Sequence, residues 1–144
     1  MENILTEKKE SPRIDENNVI HWYYGDIFEI QWHLTLKEND ELITYEPEDQ
    51  IIFSFYTFDS NKLIHRFICK NIDNSTHMAI LQFNKMTSLK FKPGKYRFSV
   101  KYISFLKERI NGKMSIEKDT QDITTVGEKY FVEVEQWQKV ETSK

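Results

Sequence analysis

Cysteine is nearly missing. Cys69 stands alone among 144 residues, so the chain can form neither an internal disulfide nor a thiolate metal cage, and reduced surroundings during folding are expected. Glycine and proline are scarce too, at four and three, which predicts longer loops and more twisted strands than a turn-rich chain would have. No apolar run nears the ~20 residues that span a bilayer, and residues 1–18 lack the apolar stretch of a secretory signal. A soluble chain made in the cytoplasm, with no membrane partner, is expected. Neither sign of charge dominates: 20 basic residues face 23 acidic ones, for a net −3. Proteins that grip nucleic acid by bulk charge carry a basic excess, so nucleic acid is not an expected partner. No glycine-rich phosphate loop, nucleophile elbow or dinucleotide fingerprint occurs.

Aromatic residues are plentiful, with ten Phe, seven Tyr and three Trp. That is ample for a packed core in a chain of one-domain length. Residues 1–18 are polar and mixed in charge and read as a flexible arm; 19–137 read as the folded domain and 138–144 as a polar tail. Phe28, Ile30, Trp32, Leu34 and Leu36 alternate with Glu29, Gln31, His33 and Thr35, the period of a strand with one wet face. Asn39-Asp40 marks a turn. Residues 50–58, QIIFSFYTF, are apolar on both faces and predict a central strand covered on both sides. LIHRFICKNI and MAILQFN predict two more strands. Thr87, Ser88 and Pro93-Gly94 read as a polar corner, followed by a strand carrying Tyr96, Phe98, Val100 and Tyr102. Asn111-Gly112 is the strongest hairpin signal, and EKYFVEVEQW closes the domain. Seven to nine strands, no convincing amphipathic helix and turns every ten residues or so favour an all-β, antiparallel β-sandwich over a βαβ fold.

Chemistry-bearing residues are dispersed. His21, His33, His65 and His77 share no short metal-binding spacing, and read as surface residues, with a zinc site assembled from distant strands as the lesser alternative. His65 and Cys69 point the same way along one strand but stand about 13 Å apart, too far for a catalytic pair, so Cys69 reads as a small core hydrophobe. No catalytic residue, cofactor or metal is expected. Two charge blocks stand out. Glu38, Asp40, Glu41, Glu46, Glu48 and Asp49 form an acidic loop; Lys85, Lys90, Lys92, Lys95, Arg97 and Lys101 form a basic stretch. They read as solvated faces, as complementary contacts between neighbouring copies, or, for the acidic loop, as a calcium site, although it lacks the EF-hand spacing and glycine. Trp22, Tyr23, Tyr24 and Trp137 lie near the two ends of the predicted domain. They read either as mutual packing or as an exposed sugar- or protein-binding patch.

Taken in order, Gly25-Asp26, Asp49-Ile51-Phe53, Pro93-Gly94-Lys95-Tyr96 and Gly127 through Val134 resemble the small immunoglobulin-like domain of phage tail and baseplate proteins, of the type at the N-terminus of the baseplate upper protein. Ile27 departs from the family's usual Thr, and Ser104 to Thr125 is longer than the family's hairpin. The resemblance implies an immunoglobulin-like sandwich with a non-enzymatic role in a virion: a tail, baseplate or adsorption component that docks on other virion proteins and forms a homo-oligomer in a symmetric assembly. The interface candidates are then the acidic loop (Glu38, Asp40, Glu41, Glu46, Glu48, Asp49), the basic stretch (Lys90, Lys92, Lys95, Arg97) and the aromatics Trp22, Tyr23, Tyr24 and Trp137. The alternative is a carbohydrate-binding module holding a glycan on those aromatics.

Overall fold

The computed structural model describes residues 10–110 and 113–136, and the side chains of all of these except Glu38 and residues 105–129. The elements are β1 (Arg13–Ile14), β2 (Val19–Tyr23), β3 (Phe28–His33), β4 (Lys37–Glu38), β5 (Glu41–Leu42), β6 (Gln50–Thr57), β7 (Leu63–Cys69), β8 (Met78–Phe83), α1 (Lys85–Leu89), β9 (Gly94–Ile110) and β10 (Lys113–Glu135). One sheet has six strands in the order β1-β2-β10-β9-β6-β7; β3 pairs with β8, and β4 with β5. Every pairing is antiparallel except β2 with β10, which is parallel. The expected all-antiparallel arrangement is therefore corrected: the closing strand runs alongside the first long one, and the six-stranded sheet is mixed.

Alternation builds the core. In β3, Phe28, Ile30 and Trp32 are half-buried while Glu29, Gln31 and His33 are exposed. In β8, Ala79, Leu81 and Phe83 are buried. These inward rows face the inward row of the large sheet. The Trp32 ring meets Phe53 and Phe98 edge-on at 5.7 and 5.6 Å, and Phe83 meets Phe55 and Phe67. Trp22, Phe53, Phe55, Phe83 and Phe91 are wholly buried. The β6 strand is central within its sheet, between β9 and β7. Its outer face is covered in part: Ser54 is buried, with Arg66 donating to its hydroxyl, and Ile52 and Tyr56 are half-buried. The expectation of cover on both sides thus holds more fully for the inner face than for the outer.

Turn chemistry works as its residues dictate. Asn39 and Asp40 both have positive φ, 53° and 64°, and join the two-residue strands β4 and β5 by the tight turn that needs this conformation. Gly25 has φ 83°, in the left-handed region that glycine reaches without strain. Asp26 beside it accepts a hydrogen bond from Ser11 Oγ at 2.8 Å.

Two local expectations fail. Within the predicted arm, Arg13 and Ile14 pair with His21 and Ile20 of β2, and the Asp15 carboxylate accepts from the amides of Asn17 and Val19; residues 1–9 and 138–144 lie outside the described residues. The polar corner is a one-turn helix whose Thr87 and Ser88 are buried, with Asn84 as N-cap accepting from the Thr87 amide. The Asn111-Gly112 turn lies outside the described residues, but β9 and β10 on either side of it pair. Among the described residues no helix is long and apolar enough to cross a membrane.

Candidate functional site

The two charge blocks sit at opposite ends of the sheets. His33 pairs with Met78, and Gln50 with Ile103, at one end; Phe28 pairs with Phe83, and Thr57 with Tyr96, at the other. The acidic loop joins β3 to β6 at the first end. There the Tyr45 ring meets His77 and Tyr102, and Asn74 clasps the backbone of Tyr45, accepting from its N–H and donating to its C=O at 2.7 and 3.0 Å. Asp40, Glu41, Glu46 and Glu48 are exposed. Asp49 is not: it is 2% exposed, and its Oδ2 accepts from the Glu46 amide and the Tyr102 hydroxyl, both at 2.9 Å. Its place among the interface candidates is corrected, because it locks the loop from inside. Burial, followed by the proximity of Tyr102 and Asp49, pushes the Tyr45 hydroxyl up to about 12. The Glu38 side chain lies outside the described residues.

The basic end is built by α1, the loop after it and the start of β9. Lys90, Lys92 and Lys95 are exposed and Arg97 half-buried. Lys85 Nζ donates to the Gly25 carbonyl at 3.4 Å. Lys92 donates to the Tyr24 hydroxyl at 3.1 Å and lies 5.4 Å from the centre of that ring. Arg97 donates to Asn61 Oδ1 at 2.8 Å and stacks over Tyr56. Lys90 Nζ stands 3.3 Å from His65 Nδ1. Desolvation, aided by that ammonium, holds the His65 imidazole below its ordinary value. Lys37, Lys70 and the exposed Lys101 toward the acidic end, and Asp26, Asp59, Glu133 and Glu135 toward the basic end, make the segregation partial.

The aromatic candidates divide. Trp22 is wholly buried and Tyr23 is 6% exposed, so neither offers a face to a glycan or a protein; their candidacy is corrected. Trp22 points inward because its strand neighbour Val134 and the rings of Phe28, Phe83 and Phe91 enclose it. Tyr24 is half-buried under Lys92. Trp137 lies outside the described residues.

A third grouping was not visible in any short motif. It lies on the outer face of the six-stranded sheet, where β1, β2 and β10 adjoin. Arg13 Nη2 is 2.7 Å from Glu135 Oε1, His21 Nε2 is 2.6 Å from Asp15 Oδ2, and His21 Nδ1 is 3.4 Å from Glu135 Oε1. The hydrogen bond from His21, then those from the Val19 and Asn17 amides, hold the Asp15 carboxyl below its usual range. His21 is 9% exposed, which corrects its reading as a surface residue. The alternation in YFVEVE does put Glu133 and Glu135 on one face, but only the parallel pairing with β2 brings them to His21. Of the other histidines, His33 is exposed and His77 half-buried. Cys69 is half-buried and donates to the Ile80 carbonyl at 3.6 Å, and burial pushes its thiol up. That makes it a poor nucleophile.

No family model matches the chain, and no curated protein or solved structure matches it at a significant level.

Proposed function

We propose that the chain is a non-enzymatic docking module, an immunoglobulin-like domain that assembles with copies of itself and with other proteins in a phage virion. The observation that carries this reading is the partial separation of charge, with the exposed acids of the β3–β6 loop at one end of the sheets and Lys90, Lys92 and Lys95 at the other. A surface with unlike ends joins head to tail, the arrangement that closes into rings or extends into stacks. Complementary charge then sets register and the rate of encounter.

Support for the immunoglobulin-like arrangement comes from the strand order. The strands β2, β10, β9, β6 and β7 form one sheet and β3 and β8 the other, the division found in sandwiches of that class. At the corner before β9, the Tyr96 hydroxyl donates to the Lys92 carbonyl four residues back, as the tyrosine corner of those domains does. Support for docking also comes from β9 and β10 themselves. The last residue of β9 that pairs with β6 is Ile103, yet the two strands stay paired through Ile110 and Lys113. Residues 104–110 and 113–122 thus form a two-stranded ribbon past the acidic end, and among the described residues no third strand flanks it. Such a ribbon is only marginally stable alone in water and presents open edges to a partner.

Light scattering on the purified chain at about 50 mM and about 500 mM salt tests the self-assembly. The mass is expected to rise with concentration at low salt and to fall back toward the monomer at high salt. A monomer at every concentration in both conditions would overturn it. Mass spectrometry of purified phage particles tests the virion placement: the chain is expected among their structural proteins, and its absence there while present in the host lysate would contradict it.

A further inference from the structure

We propose that His21, Glu133 and Glu135 form a binding site for zinc(II) on the outer face of the large sheet. Their ligand atoms all lie within 4.8 Å of one another, a convergence fixed by the backbone. Parallel pairing sets His21 opposite Glu133, and the next outward residue along β10 is Glu135.

The imidazole is prepared for a metal. Its Nε2 is engaged by the Asp15 carboxylate, which is anchored in turn by two backbone amides. A carboxylate that accepts a hydrogen bond from Nε2–H leaves Nδ1 with its lone pair, the carboxylate–histidine–metal arrangement of zinc sites. Nδ1 is buried and has no hydrogen-bond partner. It lies 3.4 Å from Glu135 Oε1, too far for a good hydrogen bond. Zinc bonds of about 2.0–2.2 Å at tetrahedral angles hold neighbouring ligand atoms about 3.3–3.5 Å apart, the spacing of this pair, while Glu133 lies within 4.8 Å of both. Arg13 occupies one lone pair of Oε1, and the second is left for the metal.

Charge and chemistry agree. The three carboxylates of Asp15, Glu133 and Glu135 less the one guanidinium of Arg13 leave two negative charges. A divalent ion matches them, although Lys95, the exposed neighbour of Glu133 in the ladder, already offsets part of that charge. One imidazole and two carboxylates suit zinc; calcium and magnesium prefer oxygen alone. A fourth position remains for water. The bound ion would clasp β2 to β10, the strands that bring the two ends of the fold together.

The test is isothermal titration and thermal melting of the full chain, stripped with chelator and then titrated with zinc chloride, with calcium chloride as control. One zinc per chain is expected, with a raised melting temperature that calcium does not reproduce. Asp15→Asn should weaken zinc binding about 10–100-fold, and Glu133→Gln should weaken it by a similar factor while leaving the metal-free melting temperature close to that of the parent. No zinc heat and no melting shift at about 100 µM zinc would overturn the site. So would a Glu133→Gln chain that binds zinc as the parent does, since the zinc would then sit on other histidines.

Discussion

At the scale of single residues, Trp22 is a core residue. Its ring is enclosed by three phenylalanines, so Trp22→Ala should cost about 3–5 kcal/mol of stability, read by urea unfolding. A loss below about 1 kcal/mol would mean that the ring does not carry the interior. Gly25 is constrained differently, by its backbone. With φ at 83°, Gly25→Ala should destabilise by about 1 kcal/mol or more. His65 supplies a pH dependence. Its imidazole is held below the ordinary 6.5 by burial and by Lys90, so the unfolded chain takes up a proton more readily than the folded one. The contribution is fully present above pH 6.5 and is lost as pH falls through the lowered native value. Urea midpoints from pH 7.5 to 5 should therefore drop, and His65→Gln should flatten that slope.

At the scale of elements, strands were legible and their neighbours were not. The period-two pattern in β3 and the Asn39-Asp40 turn follow from local chemistry, because side-chain alternation and positive φ are properties of consecutive residues. The pairing of β2 with β10 joins residues more than a hundred positions apart, and nothing in either segment announces its direction. That is why the parallel pair, and with it the meeting of His21 with Glu133 and Glu135, emerges only from the fold. The strand β1 was hidden for another reason: Arg13 and Asp15 hold it by ion pairs and hydrogen bonds, which leave no apolar period to read. Asp49 was recognised as charged, but its burial depends on Tyr102, fifty-three residues away. Asp49→Ala should remove the hydrogen bonds that Asp49 Oδ2 accepts from the Tyr102 hydroxyl and the Glu46 amide, costing about 1–3 kcal/mol. Faster amide hydrogen exchange localised to residues 45–49 would mark the freed loop; exchange unchanged there would contradict the lock.

At the scale of the whole molecule, the proposed docking rests on polarity. Two sheets hold an aromatic interior, and that rigidity keeps Glu46 and Glu48 at one end and Lys92 and Lys95 at the other. Charge this exposed adds little to the stability of the fold, so reversing it should alter association and leave folding nearly intact. The most direct measurement is sedimentation velocity on two variants, Glu46→Lys with Glu48→Lys and Lys92→Glu with Lys95→Glu, run separately and mixed. Each alone should associate less than the parent at low salt, because the opposition of charge between its two ends is removed, and the mixture should recover the larger species. If either variant assembled alone as the parent does, or the mixture stayed monomeric while the parent assembled, joining through opposed charged ends would be contradicted.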